Sequence, residues 1–189
     1  MEVLIRNAAL SAYLFAVASI LSTVTLMIMF AGVGIFGPIN DLISVFQFLF
    51  LIPVALATHQ ALRPAGSTAV LIVTIVGVLA MLVFAVLQSL LVVGVVRFEQ
   101  TLGAVLAMGA LIGLWLAITQ GAQLSGGQVP TWLGWVGILG GLSFVLTAIG
   151  WFFLGGMQHP LVAVGFLIGA ILLPAWGIGT GRLLSVAGS

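Results

Sequence analysis

Long hydrophobic runs, separated by short polar or glycine- and proline-containing breaks, follow one another along the whole chain. A helix needs about 20 mostly apolar residues to cross a bilayer. Segments of this length are predicted at residues 8–30, 41–61, 67–96, 101–120, 131–154 and 160–183. Backbone groups in lipid must bond internally, and the runs lack the period-two alternation of barrel strands. The pattern therefore predicts membrane-spanning helices.

The composition indicates that lipid surrounds most of the chain. Only 4% of its 189 residues are charged, whereas 63% are hydrophobic; a soluble domain carries roughly 25% charged residues. The apolar run after Arg6 is longer than a signal-peptide core of about 7–15 residues, which predicts a retained first helix. We therefore predict an all-α, polytopic membrane protein. Residues 1–189 are expected to form a single transmembrane domain, a bundle of about six helices.

The predicted connections between helices are short. Residues 37–40, Gly-Pro-Ile-Asn, separate the first two helices, and Asn40 or Asp41 is expected to cap the second. Residues 97–100 form a charged turn, and residues 121–130 form the longest polar loop. None of these connections is long enough for a folded domain.

The arginines predict an orientation. With six crossings, both termini share one side with the second-to-third and fourth-to-fifth connections. That side holds Arg6, Arg63 and Arg182, whereas Arg97 lies on the other side beside Glu99. Arginine accumulates in cytoplasmic connections, so both termini are predicted to be cytoplasmic in an inner or plasma membrane.

Aromatic and basic side chains also predict the membrane interfaces. Trp132 and Trp135 open the fifth helix, and Trp176 lies near the end of the sixth, at depths that indole rings prefer. Arginines near helix ends anchor in the same regions. The predicted interface anchors are Arg6, Arg63, Arg97, Arg182, Trp132 and Trp135.

The 25 glycines predict close helix packing. Residues 165–169 form a GxxxG motif, and Gly137, Gly140 and Gly141 are spaced three and four apart. Small residues let helices approach closely where lipid offers no hydrophobic drive to associate. We expect them to pack within this bundle rather than to form a dedicated dimer surface.

Missing residue types exclude several chemistries. Without lysine there is no Schiff base and no lysine-dependent phosphate loop, and without cysteine there is no disulfide or thiolate chemistry. A net charge of +1 gives no basic patch for nucleic acid. His59 and His159 are predicted at opposite membrane faces, which rules out a bis-histidine haem. His, Asp and Glu are too few for a metal hydrolase. We therefore predict no catalytic residue, no metal and no cofactor.

Polar side chains inside membrane helices are costly and are candidates for function. Asp41, Ser44 and either Gln47 or Phe48 fall near one helical face by their spacing of three and four, which predicts a polar pocket open to the outer surface. The alternatives are an N-cap role for Asp41 and a hydrogen bond between Gln47 and Gln88 that joins helices two and three. The candidate ligand-binding residues are Asp41, Ser44, Gln47, Gln88, Thr147 and His159.

Two prolines fall inside predicted helices. Pro53 and Pro174 lack an amide hydrogen and are expected to kink their helices. In transporters such breaks line substrate sites. The alternative is that each proline only kinks its helix and lines no site.

Several glycine-, tryptophan- and proline-marked segments resemble a known pattern. They are residues 113–115 (GLW), 129–141 (VPTWLGWVGILGG) and 173–183 (LPAWGIGTGRL). Together they resemble a family of small bacterial six-helix membrane proteins whose function is unknown. The resemblance implies six helices and a bacterial origin, and it supplies no activity or catalytic residue.

The leading functional hypothesis is a non-catalytic bundle that acts as an accessory subunit or binds a lipid-like ligand. Its expected partners are the lipid bilayer and a membrane protein or further copies of itself. One alternative is a small oligomeric transporter or channel with a polar site in the outer half of helices two and three. Another is an intramembrane enzyme on a lipidic substrate, which would require Asp41, His159 and Glu99 to converge.

Overall fold

The computed structural model describes residues 2–62 and 67–187. Within these ranges the chain forms six long α-helices and a short 3-10 turn at Gly156–Gln158. The helices are α1 Glu2–Phe30, α2 Phe36–Leu62, α3 Ser67–Val92, α4 Phe98–Ser125, α5 Thr131–Phe153 and α6 Pro160–Ala187. Each contains a stretch long and apolar enough to cross a membrane. The predicted all-α bundle of six helices is confirmed, and the chain is a multi-pass membrane protein.

The helices pack in chain order into a closed ring, in which α1 contacts both α2 and α6. Short connections make successive helices antiparallel. Residues 31–35, 93–97 and 154–159 therefore lie at one end of the bundle, which we call the distal end. Residues 5 and 186 lie toward the opposite, terminal end. The predicted outer half corresponds to the distal half of the ring.

The start of α2 differs from the prediction. The helix begins at Phe36, so residues 37–40 are helical and do not separate two helices. Asp41 lies in the second turn, and the prediction that Asn40 or Asp41 caps the helix is wrong. Pro38 is compatible with this start because the first amides of a helix have no partner within it.

Other boundaries also differ from the prediction. Helix α4 begins at Phe98, so the predicted charged turn at residues 97–100 is wrong and residues 98–100 are helical. Helix α1 begins at Glu2 rather than at residue 8, and α6 ends at Ala187 rather than at residue 183.

Helix α4 continues to Ser125, so the first half of the predicted loop at residues 121–130 is helical. Helix α3 ends at Val92, four residues before its predicted end. Gly94 and Gly127 follow these helices with φ angles of 72° and 64°. A residue with a Cβ rarely adopts that conformation, so these glycines set where the chain turns.

Aromatic rings fill the terminal half of the ring. Phe15 of α1 and Trp115 of α4 pack edge-on against Trp176 of α6, with ring centroids 5.9 and 6.4 Å apart. All three are almost fully buried. The prediction that Trp176 lies at the membrane interface is therefore wrong. Gly137 of α5 lies directly against Trp176, and the missing side chain makes room for the indole.

The predicted glycine packing within the bundle is confirmed for the GxxxG motif. A Cβ on Gly165 would lie 2.7 Å from the carbonyl oxygen of Ser143. A Cβ on Gly169 would lie 2.8 Å from the hydroxyl oxygen of the same serine. The motif therefore joins α6 to α5 at close range.

The predicted anchors that the structure describes lie at helix ends. Trp132 and Trp135 are 55% and 53% exposed near the start of α5. Arg6 and Arg182 are exposed toward the terminal end, and Arg97 is exposed at the distal end. Arg63 lies outside the described residues. Residues at the membrane interface would lie at such positions. That these side chains anchor the protein there stays a prediction.

The two predicted intrahelical prolines are where the sequence placed them. Pro53 lies inside α2 and Pro174 inside α6, and both helices continue past them. A proline at position 174 provides no amide hydrogen for the carbonyl of Ala170. The helical hydrogen-bond ladder of α6 is therefore interrupted midway along the helix.

Candidate ligand-binding cavity

A cavity of about 730 Å³ occupies the distal half of the ring, and all six helices contribute to its wall. Ligand pockets in proteins span about 300–1,000 Å³. Phe48, Phe84 and Phe144 line it from α2, α3 and α5. The ring of Phe48 lies 4.0 Å from that of Phe84 and 6.4 Å from that of Phe144, centroid to centroid. The cavity is thus large enough for a small lipid and has an apolar, aromatic wall.

One side of the cavity, formed by α1 and α2, is polar. The hydroxyl of Ser22 donates to Oδ1 of Asn40 at 2.9 Å. The Nε2 of Gln47 donates to the hydroxyl oxygen of Ser19 at 3.1 Å, and that hydroxyl donates to the carbonyl of Phe15 at 2.8 Å. These bonds hold the polar side chains of two helices in fixed positions.

Gln88 provides a different kind of polar group on α3. Its side chain is 7% exposed, and its buried Oε1 has no hydrogen-bond partner. An unsatisfied buried acceptor costs about 1–3 kcal/mol. The predicted hydrogen bond between Gln47 and Gln88 is not formed, because Gln47 bonds to Ser19 of α1 instead. Gln88 lines the cavity, but its unpaired Oε1 is buried in the wall and is not exposed to the cavity.

The structure brings five of the six predicted ligand-binding residues to one cavity. The predicted residues that line it are Asp41, Ser44, Gln47, Gln88 and Thr147. His159 is not among the lining residues. It precedes α6, where its Nδ1 accepts a hydrogen bond from the amide of Leu161 at 3.3 Å. Ligand binding by the five lining residues stays a prediction.

Sequence reasoning missed five polar residues of this wall: Ser19, Ser22, Thr23, Asn40 and Ser143. Ser19 and Ser22 lie three residues apart on α1, and Asn40 lies on α2. The same spacing rule that grouped Asp41 with Ser44 would have grouped the two serines. Asn40 was missed because the start of α2 was placed too late.

The cavity wall contains an acidic side chain but no basic one among the described residues. Asp41 contributes a half-buried carboxyl group. Among the residues that the structure describes, no arginine or histidine lines the cavity, and the sequence contains no lysine. The site therefore supplies acceptor oxygens without a basic side chain to balance a negative charge.

Lining residues that are also exposed mark where the cavity reaches the surface. Met27 of α1 and Leu167 of α6 both line it and are 48% and 52% exposed. Leu167 lies seven residues into α6, about 10 Å along the helix axis. Tight contact between these helices occurs nearer the terminal end, where Gly177 packs against Ala12 and Ala16. The cavity therefore reaches the surface between α1 and α6, within the apolar span. Phe30, Phe98 and Met157 also line it and are exposed, so it reaches the surface at the distal end as well.

No protein-family model, curated protein or solved structure matches the chain. The class of protein is defined by the fold and the cavity themselves. This is a polytopic membrane protein whose helix ring encloses a cavity that opens between α1 and α6 and at the distal end, with an apolar wall and a polar side.

Proposed function

We propose that this protein is a non-catalytic membrane protein that binds a lipid-like, amphipathic molecule in the distal cavity. The observation that carries the proposal is a cavity of about 730 Å³ that combines an aromatic, apolar wall with one polar side on α1 and α2. Apolar pockets with a few placed polar groups are typical ligand sites. An apolar chain would contact the phenylalanine wall while its polar head bonds to Gln88.

The lateral opening supports a ligand that is dissolved in the bilayer. Met27 and Leu167, at the edge of this opening, are apolar. A lipid can pass these side chains directly from the bilayer without leaving apolar surroundings. The accessory-subunit hypothesis has no comparable support, because exposed apolar surface is a property of every membrane bundle.

The positions of the acidic and histidine side chains support a non-catalytic role. Asp41 lines the cavity, but Glu99 and His159 do not. Acid–base catalysis needs the participating groups within hydrogen-bond reach of one reacting atom. The intramembrane-enzyme hypothesis required these three residues to converge.

The binding proposal is tested by filling the cavity. Ala170 lines the cavity, whereas the next residue, Ile171, faces away and is 70% exposed. We expect native mass spectrometry to show monomyristin bound to wild type and to Ile171→Phe, but not to Ala170→Phe. Equal thermal unfolding midpoints would show that both variants are folded. Absence of binding to wild type, or undiminished binding to a folded Ala170→Phe variant, would refute the proposal.

We further propose that the terminal end faces the cytoplasm of a bacterial cell, across its inner or plasma membrane. Exposed Arg6 and Arg182 at that end support the orientation, and the segments that resemble small bacterial membrane proteins support the origin. The chain has no cysteine, so single cysteines report topology directly. On intact cells, an impermeant maleimide should label Val95→Cys and spare Ser185→Cys; the reverse pattern would invert the orientation.

A second candidate function is transport by a small, oligomeric carrier. The cavity is open in the distal half, while Phe15, Trp115 and Trp176 close the terminal half. Such a one-sided cavity is what an alternating-access carrier shows in one state, and Pro174 interrupts α6 near the closed layer. Fluorescently labelled monoacylglycerol should then cross proteoliposome membranes. Movement that is absent, or unchanged by Gln47→Leu and Gln88→Leu, would remove this candidate.

A further inference from the structure

We infer that the cavity takes its lipid from the distal leaflet, the half of the bilayer on the side of the distal end. The lipid is held with its polar head toward the distal end and its apolar chain toward the middle of the membrane. The inference rests on the proposed binding function and adds the leaflet and the orientation of the bound lipid. Its basis is the depth at which polar and apolar groups line the cavity.

The polar side chains that are free to contact a ligand lie near the distal end. Among the described residues, Thr23, Asp41 and Gln88 line the cavity and form no side-chain hydrogen bond within the protein. Gln88 lies four residues before the end of α3 and Asp41 five residues after the start of α2, about 6–8 Å from the distal helix ends. Thr23 lies seven residues before the end of α1, at about 10 Å. We call this depth the shallow level.

Deeper in the cavity, the polar side chains bond to the protein itself and the wall is aromatic. Gln47 lies eleven residues into α2, at a depth of about 16 Å, and bonds to Ser19 at 3.1 Å. Ser143, at about 15 Å, donates to a backbone carbonyl at 2.7 Å. The rings of Phe48 and Phe144 line the cavity at about 14–18 Å. A head at the shallow level would therefore leave its chain in these aromatic surroundings.

The shallow level coincides with the depth at which lipid heads meet the hydrocarbon. The hydrocarbon core of a bilayer is about 30 Å thick. Helix α3 has 26 residues and is about 39 Å long, so in a centred bundle its distal end extends about 4–5 Å beyond the hydrocarbon. The shallow level then lies about 2–6 Å inside the hydrocarbon boundary. A lipid of the distal leaflet therefore holds its head close to this depth before it enters.

The opening between α1 and α6 lies at a similar depth. Met27 is three residues before the end of α1 and Leu167 is seven residues into α6, which corresponds to about 5 and 10 Å from the distal helix ends. A lipid of the distal leaflet can therefore move sideways into the cavity without carrying its head into the middle of the bilayer.

A lipid of the opposite leaflet meets a closed bundle. The rings of Phe15 and Trp176 pack 5.9 Å apart, and Trp176 lies sixteen residues into α6, about 24 Å from its distal end. Beside this layer, a Cβ on Gly177 would lie 3.0 Å from the carbonyl oxygen of Ala12, so α1 and α6 leave no gap there. A head from that leaflet would have to cross the hydrocarbon to reach Gln88, which is unfavourable.

The orientation is tested with two photoreactive analogues of monomyristin, one with a diazirine at the end of its chain and one with a diazirine on its glycerol. Each is bound to the wild-type protein in phosphatidylcholine nanodiscs and irradiated, and the adducts are mapped by peptide mass spectrometry. We expect the chain-end analogue to label the deep wall at Phe144 and Leu173. The glycerol analogue should label the shallow level at Asp41 and Gln88. Excess monomyristin should reduce both sets of adducts.

A matched pair of variants tests the contact of the head. The Oε1 of Gln88 is enclosed, so its amide nitrogen is the atom that it presents to a ligand. Gln88→Met removes this donor and should weaken monomyristin binding in native mass spectrometry about tenfold, the effect of one buried hydrogen bond. Gln60→Met, on the exposed end of α2, should bind as wild type does. Equal thermal unfolding midpoints would show that both variants are folded.

The outcomes separate this inference from the binding function. Chain-end adducts at Phe98 and Met157, near the distal end, would overturn the orientation and leave lipid binding intact. Equal labelling of both levels by either analogue, or unchanged monomyristin affinity in Gln88→Met, would overturn it as well. If excess monomyristin reduces no adduct and native mass spectrometry shows no monomyristin bound to wild type, the binding function itself fails.

Discussion

Gly113 of α4 and Gly141 of α5 pack backbone against backbone, such that a Cβ on either residue would collide with the carbonyl oxygen of the other. A second backbone group of α4 also lies close to Gly141. A Cβ on Gly141 would lie 2.8 Å from the amide nitrogen of Ala117. Backbone atoms cannot move aside as a flexible side chain can. This contact therefore fixes the separation of α4 and α5, and with it the position of Phe144 on the cavity wall.

Gly113→Ala is expected to destabilise the bundle by about 1–3 kcal/mol, the usual range for overpacking. The measurement is the free energy of unfolding in detergent. Gly121→Ala is the matched control on the same helix, because nothing lies within 4 Å of its Cβ position. Alanine favours helix over glycine by up to about 1 kcal/mol, so the control should be neutral or stabilising. Equal stability of the two variants would contradict the close approach.

The hydrogen bond between Gln47 and Ser19 is expected to couple α2 to α1 weakly. Interhelical hydrogen bonds in membranes average about 0.6 kcal/mol in double-mutant cycles. A cycle of Gln47→Leu, Ser19→Ala and the double variant, read by unfolding free energy, should return a coupling of about that size. A coupling indistinguishable from zero would mean that the two side chains do not bond in the membrane.

We expect the indole of Trp176 to stabilise the fold through the packing of its rings rather than through a hydrogen bond from its Nε1. Its Nε1 is buried without a partner, and its ring packs against Phe15 and Trp115. Trp176→Ala should cost about 3–5 kcal/mol through the cavity it leaves. Trp176→Phe should cost much less, since it keeps an aromatic ring and removes an unsatisfied donor. Similar losses of unfolding free energy for both variants would indicate a hidden hydrogen bond.

The tryptophans are expected to divide into two groups by contact with lipid. Trp132 and Trp135 are more than half exposed, whereas Trp115 and Trp176 are buried. In single-tryptophan variants reconstituted with brominated lipids, fluorescence of the first pair should be strongly quenched and that of the second pair little changed. Strong quenching of Trp115 would place lipid inside the terminal half of the ring.

The membrane spans could be predicted from the sequence because length and hydropathy determine them directly. The residues at which helices begin were harder to predict. Residues 37–40 carry Gly, Pro and Asn, which favour turns in water, yet they are helical here because a proline is tolerated in the first turn. Trp176 shows a second difficulty. Its position near a helix end suggested an interface, but its burial depends on the small residue at Gly137 of another helix.

Part of the candidate site could also be predicted from the sequence. Few polar residues occur in these spans, so the spacing of Asp41, Ser44 and Gln47 identified their shared face. Spacing on one helix does not determine the neighbouring helix. The sequence paired Gln47 with Gln88 of α3, whereas the fold pairs it with Ser19 of α1. The choice between neighbours depends on the ring arrangement, which hydrophobic patterns do not encode.

The contact between α1 and α6 has a consequence for biosynthesis. The two helices are separated by residues 31–159 in the chain. At about 5–20 residues per second, translation of this segment delivers α6 roughly 6–26 seconds after α1. Until then the ring is incomplete, and the cavity lacks the part of its wall that α6 provides. The cavity is therefore completed only after the final helix has been synthesised and has packed against the first.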